Sequence, residues 1–165
     1  MELWHSKQKL ERVLTNCELK DALVQAEQDF WAEQVEIERS AAAAWVAYAE
    51  GKKEEALKWM RSAADLEDGS EKNVAMENRL WPMRELLGEL LLELNEPAQA
   101  LKEFELSLQT ARNRYRGFYG AAKAAERASD RQTARAFYEK LVALSGHADT
   151  ERPELVEAKT YLAQN

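Results

Sequence analysis

The feature that most restricts the fold is a pattern of small and aromatic residues that recurs at an offset of 34 residues. Aligning residues 84–108 with residues 118–142 places small residues on small residues and an aromatic ring on an aromatic ring. The matched pairs are Gly88 with Ala122, Ala100 with Ala134, and Phe104 with Tyr138. A repeat of this length is one supersecondary unit, which buries its apolar face by stacking on its neighbours. The pattern therefore predicts a solenoid.

The composition indicates that each unit is helical. Only 3 prolines and 6 glycines occur in 165 residues, and strong helix formers such as Ala, Leu, Glu and Lys dominate. Turn-forming residues at Gly51, 95–97 and 129–131 separate segments that are each one helix long. Pro97 suits the first turn of a helix, with Asn95 as a candidate cap. We therefore expect an all-α chain of helical hairpins.

A looser copy of the pattern precedes the other two, with Ala44, Ala56 and Met60 in the corresponding places. The three copies resemble the tetratricopeptide repeat, a 34-residue helix–turn–helix unit with the pattern W-x2-L-G-x2-Y followed by A-x3-F. Residues 84–91 keep the Leu-Gly pair, and residues 100–104 keep A-x3-F, whereas the tryptophan is absent from all three copies.

The resemblance implies a right-handed helical solenoid of about three hairpins in a single domain, residues 1–165. The expected parts are N-terminal helices (1–36), repeat 1 (37–70), an insertion loop (71–80), repeat 2 (81–114), repeat 3 (115–148) and a capping helix (149–165). Thr15-x-x-Glu18 has the spacing of a capping box and predicts a break between a short first helix and a long second one. A terminal helix would cover the apolar face that a solenoid otherwise exposes.

Much of the chain also resembles the C-terminal repeat region of larger bacterial proteins that carry these repeats and have no assigned activity. The resemblance covers residues 29–57, 84–108 and 149–163. It implies a module detached from, or shared with, a longer polypeptide, and it indicates no substrate.

In tetratricopeptide arrays the first helices of the hairpins line a concave groove, and the resemblance assigns residues of this chain to that face. Repeat 3 contributes Arg116, Tyr119, Lys123, Glu126 and Arg127; repeat 2 contributes Glu85, Glu89, Leu92 and Glu93; repeat 1 contributes Trp45 and Tyr48. The resulting hypothesis is a groove that binds a peptide or protein surface. Arg116, Lys123 and Arg127 would take its acidic groups, and Trp45 and Tyr48 an apolar side chain.

Two alternatives to a peptide-binding groove remain open at this stage. The same charges could form a solvated helix face, with Lys123 and Arg127 paired to nearby carboxylates. The N-terminal helices, which carry Trp4, could instead pair with a second copy and make the chain a homodimeric structural adaptor.

Charge and missing motifs disfavour other classes of function, of which single-stranded nucleic-acid binding is the next alternative. With 23 basic and 30 acidic residues the net charge is −7, which opposes binding to nucleic acid or to an anionic membrane, although arginines and tyrosines alternate in residues 112–119. No apolar run has the length of a signal peptide or a membrane span, so we expect a cytoplasmic protein. His5, Cys17 and His147 match no metal-ligand or catalytic spacing. We therefore expect no enzyme activity and no cofactor.

Overall fold

The computed structural model describes residues 17–70, 81–146 and 152–164, and the regular structure in these ranges is entirely helical. The helices are α1 (Cys17–Ala49), α2 (Lys53–Gly69), α3 (Met83–Glu93), α4 (Pro97–Thr110), α5 (Tyr115–Arg127), α6 (Arg131–Leu144) and α7 (Pro153–Gln164). The predicted all-α fold is confirmed. The insertion predicted at 71–80 and the capping box at Thr15 lie outside the described residues.

Consecutive helices pair as three hairpins, α1 with α2, α3 with α4 and α5 with α6, while α7 packs on α6. The first helices of the hairpins also contact one another, because α3 packs against both α1 and α5. These three helices form one layer, and each of α2, α4 and α6 packs against the first helix of its own hairpin. Within the described ranges, none of the helices combines the length and the apolar character needed to cross a lipid bilayer.

The same left-handed turn ends the first helix of every hairpin. Gly51, Asn95 and Ser129 have positive φ angles of 78°, 61° and 63°, and their spacings of 44 and 34 residues are those of the sequence pattern. The following N–H closes each helix end by donating to a carbonyl five residues earlier, as in a Schellman motif. These bonds run from Lys52 to Ala47 at 2.9 Å, from Glu96 to Leu91 at 2.8 Å and from Asp130 to Ala125 at 2.9 Å.

The expectation that Asn95 caps α4 is wrong, because its backbone ends α3 instead. The N-cap of α4 is Glu96, which makes no side-chain capping bond, and Pro97 occupies the first turn as predicted. The third hairpin has the side-chain cap that the second lacks, since Asp130 accepts a hydrogen bond from the Thr133 N–H at 3.1 Å.

Small residues at the repeated positions bring the helices of each hairpin together in the core. The alanines of the pattern are all fully buried: Ala44, Ala56, Ala100, Ala122 and Ala134. Phe104 is 1% exposed, and its ring packs on two glycines, Gly88 of α3 and Gly120 of α5. A Cβ atom on Gly88 would lie 2.7 Å from that ring, and one on Gly120 would be closer still. One aromatic ring therefore joins the second hairpin to the third.

Helix α1 is much longer than the helix that pairs with it. It has 33 residues and passes through Ile37, the predicted start of repeat 1, without a break, whereas α2 has 17 residues. No residue from 28 to 36 is buried, and Trp31 and Val35 in this part of the helix are exposed. Residues 28–36 of α1 thus lie outside the part of the helix that packs in the core, which begins at Ile37.

Candidate binding groove

A cavity of about 390 Å³ lies on the layer of first helices, between α1, α3 and α5 and the start of α7. Nine of the eleven residues that the sequence assigned to the groove face line it: Trp45, Tyr48, Glu89, Leu92, Glu93, Arg116, Tyr119, Lys123 and Arg127. Phe104, Tyr115, Gly120 and Glu154 complete the lining. This volume falls in the range of about 300–1,000 Å³ that is typical of ligand pockets. The structure brings the predicted residues together, and their role in binding stays a prediction.

The aromatic part of the lining is held in place by contacts between hairpins. Trp45 and Tyr48 of α1 meet edge to face, with ring centroids 5.8 Å apart and an interplanar angle of 86°. The Tyr48 hydroxyl donates to Glu93 Oε2 of α3 at 3.3 Å. Both rings are half-buried, so each presents part of its surface to the cavity.

The two arginines of the groove are bonded within the chain. Arg116 Nη2 donates to Glu89 Oε1 at 2.5 Å, and its guanidinium lies 4.8 Å from the centroid of the exposed Trp81 ring. Arg127 Nη1 donates to the Leu92 carbonyl oxygen at 3.0 Å, which ties the end of α5 to α3. Each arginine therefore already has an acceptor on the neighbouring hairpin.

Lys123 and Tyr119 are bonded to the last helix, a contact that the sequence did not predict. Glu157 of α7 accepts from Lys123 Nζ at 2.5 Å and from the Tyr119 hydroxyl at 2.6 Å. Lys123 also donates to Glu126 at 3.3 Å, and Glu126 accepts from the Tyr138 hydroxyl at 2.8 Å. Burial and the hydrogen bond to Glu157 raise the pKa of Tyr119, which keeps its hydroxyl protonated as a donor.

The pKa of Glu157 lies below its usual range. Burial alone would raise it, but the hydrogen bonds from Lys123 and Tyr119 favour the charged form more strongly. A carboxylate whose pKa is lower in the folded state than in the unfolded state stabilises the fold. This stabilisation is fully present when the pH is above the unfolded-state pKa, and it is lost as the pH falls through the folded-state pKa. Docking of α7 should therefore weaken in acid.

Glu157→Gln is expected to lower the free energy of unfolding at pH 7 by about 0.5–1 kcal/mol, since the Glu157 side chain is 41% exposed and solvent screens the pair. The difference from wild type should shrink once the pH falls below the ordinary glutamate pKa of about 4.3, and it should disappear only below the depressed folded-state pKa of Glu157. Urea unfolding across this pH range measures it. Glu105→Gln, at an exposed residue of α4, is the control and should show no such trend. A loss of unfolding free energy that stays constant with pH would show that the charge of Glu157 does not stabilise the docking of α7.

Glu85, which the sequence placed on the groove face, is instead fully buried. It pairs with Arg114, whose Nε donates to Oε1 at 2.7 Å and whose Nη2 donates to Oε2 at 3.2 Å. The start of α5 closes over it, since a Cβ atom on Gly117 would lie 3.1 Å from Glu85 Oε1. The assignment of Glu85 to the groove is therefore wrong, because this carboxylate faces the neighbouring hairpin.

Glu154 and Glu157 are the site residues that sequence reasoning missed. Their helix was predicted only as a cap. Its amphipathic pattern shows which side of the helix is buried, but it does not show which residues of α5 the acidic side contacts.

Among the described residues, no group of three or more His, Cys, Asp or Glu side chains is arranged to hold a metal ion.

The paired helices and their packing define a tetratricopeptide-repeat-like fold, as the sequence predicted. No protein-family model matches the sequence, and no curated protein matches it. PcrH from Pseudomonas aeruginosa aligns with a TM-score of 0.58 and 19% identity, over 78% of this chain and 89% of PcrH. The TPR domain of Arabidopsis OM64 aligns with a TM-score of 0.60 and 14% identity, over 80% of this chain and 98% of that domain. At these identities the similarity shows the fold alone.

Proposed function

We propose that this chain is a noncatalytic binding module that holds a peptide or a surface segment of another protein in its groove. The observation that carries the proposal is the cavity of about 390 Å³, in which aromatic and aliphatic side chains lie between charged groups. Apolar anchors surrounded by polar groups are typical of recognition sites, and stacked helical repeats commonly use their concave surfaces for binding.

The charge of the groove disfavours nucleic acid as the ligand. The three cations that line it are Arg116, Lys123 and Arg127, and the three carboxylates are Glu89, Glu93 and Glu154. A surface that neutralises phosphates needs an excess of Lys and Arg, which this groove lacks.

A photo-crosslinking amino acid at position 45 is expected to capture a partner protein, whereas the same group at position 46 should not. Trp45 lines the cavity, while Val46, the next residue of α1, is 58% exposed and lies outside it. Cells that produce each variant would be irradiated, and the crosslinked proteins identified by mass spectrometry. Position 92, which also lines the cavity, should capture the same partner.

Equal capture from positions 45 and 46 would show that the groove does not select its ligand and would overturn the proposal. Excess wild-type chain, added before irradiation of a lysate, should compete for the partner and reduce the crosslinked product. Circular dichroism of each variant checks that the fold is intact.

A second candidate function is self-association through α1, which one observation favours. Trp31 and Val35 are 45% and 65% exposed on the part of α1 that extends past the core. Exposed apolar side chains on such a helix suit pairing with a second copy in a symmetric dimer. A crosslinker at position 31 that captures this same chain, together with a dimer mass in sedimentation, would support this function over peptide binding.

A further inference from the structure

Carboxylates outnumber cations around the groove. Five carboxylates line the cavity or bond to its cations: Glu89, Glu93, Glu126, Glu154 and Glu157. The cations on the lining number three: Arg116, Lys123 and Arg127. Counting Arg152 as well, whose guanidinium lies 5.2 Å from the centroid of the Tyr115 ring, still leaves one more carboxylate than cations. This local excess of carboxylates, together with the net charge of −7, favours a cationic ligand over an anionic one.

The cations of the lining are bonded to acceptors within the chain, whereas two of its carboxylates form no ion pair with a described residue. Arg116 holds Glu89, Lys123 holds Glu157 and Glu126, and Arg127 holds the Leu92 carbonyl. Glu93 is exposed, and the bond it accepts is from the neutral Tyr48 hydroxyl. Among the described residues, neither Glu93 nor Glu154 forms an ion pair, and both line the cavity.

An acidic ligand and a basic ligand would therefore meet different obstacles. A ligand carboxylate that bound Arg116 or Lys123 would lie beside Glu89 or Glu157, which already hold these cations, and would be repelled by them. Arg127, which donates to the neutral Leu92 carbonyl, is the cation of the lining that forms no ion pair among the described residues. A ligand ammonium or guanidinium could approach Glu93 or Glu154 with every internal pair intact, and the faces of Trp45 and Tyr48 would also attract a cation.

We infer that the occupant of the groove is a peptide segment in which one or two Lys or Arg side chains flank an apolar or aromatic residue. The basic side chains bind Glu93 and Glu154, and the apolar residue packs on Trp45, Tyr48 and Leu92. This inference rests on the proposed function and reverses the acidic ligand that the sequence suggested. Charge complementarity of this kind sets specificity and raises the association rate.

A random dodecapeptide display library, selected on the immobilised full chain, tests the inference. Selected peptides should be enriched in Lys and Arg next to aliphatic or aromatic residues, relative to the starting library. An enriched peptide, synthesised with a fluorescent label, should bind about tenfold more weakly to Glu93→Gln/Glu154→Gln in anisotropy titrations. Its affinity should also fall as the salt concentration rises.

The matched control is Glu55→Gln/Glu105→Gln, which removes the same charge from exposed residues of α2 and α4 and should leave the affinity unchanged. Enrichment of Asp and Glu, with affinity lost in Arg116→Gln/Lys123→Gln, would overturn the inference and leave the proposed function standing. Peptides without a charge preference would also overturn it. If no peptide is enriched, or if binding is unaffected by Leu92→Gln in the cavity lining, the proposed function fails as well.

Discussion

Arg114→Met is expected to lower the free energy of unfolding by about 3–5 kcal/mol, because it leaves the fully buried Glu85 carboxylate without its partner. The guanidinium joins the start of α5 to α3 through two hydrogen bonds, of 2.7 Å and 3.2 Å. An isolated charge in this position cannot recover its hydration while the two hairpins stay packed. Urea unfolding followed by circular dichroism measures the loss.

Two further variants make this prediction specific. Arg112→Met removes a positive charge from an exposed residue of the same connection and should change the stability by no more than about 0.5 kcal/mol. Adding Glu85→Leu to Arg114→Met should recover most of the loss, since an apolar side chain in place of a buried charge removes the desolvation cost. A loss of similar size in Arg112→Met and Arg114→Met would show that the buried pair is not responsible.

Phe104→Ala is expected to destabilise the fold by about 3–5 kcal/mol, because it empties the space between the second and third hairpins. The opposite change at the same contact should also be unfavourable. Gly120→Ala should cost about 1–3 kcal/mol, since its new methyl group would overlap the Phe104 ring. Thermal and urea unfolding would give both values.

The two sites should be coupled if this contact is the cause. In a Phe104→Leu background the smaller side chain leaves room for the methyl group, so Gly120→Ala should cost less there than in wild type. Gly69→Ala is the control, because a Cβ atom on this helical glycine would meet nothing within 4 Å. It should be neutral or slightly stabilising. If the losses of unfolding free energy from Phe104→Leu and Gly120→Ala are additive, the contact between these two residues is not the cause.

Much of the fold could be predicted from the sequence because its signals are local. Gly51, Asn95 and Ser129 lie at helix ends that turn-forming residues predicted. At each of these ends, backbone hydrogen bonds between residues a few positions apart terminate the helix. The repeat spacing added the pairing of helices, since adjacent helices joined by a short turn pack against each other. The same local signal misled at Asn95, where a residue favourable to a cap ends the preceding helix instead.

The sequence predicted where the candidate site lies, but it did not predict the hydrogen bonds and ion pairs of the site. Helical periodicity places Arg116, Tyr119 and Lys123 on one face of α5, and that face does line the cavity. It does not show that Glu157, 34 residues beyond Lys123, accepts hydrogen bonds from two of them. That pairing depends on how α7 lies against the third hairpin.

By itself, the sequence determined the helical class, the hairpins and the face on which the groove lies, because these follow from interactions between residues close together in the chain. The tertiary structure alone decided that Glu85 is buried, that each cation of the groove has an internal acceptor, and that Glu93 and Glu154 pair with no cation in the ranges that the structure describes. Ion pairing depends on separations of a few ångströms between distant helices, and sequence periodicity contains no information on those distances.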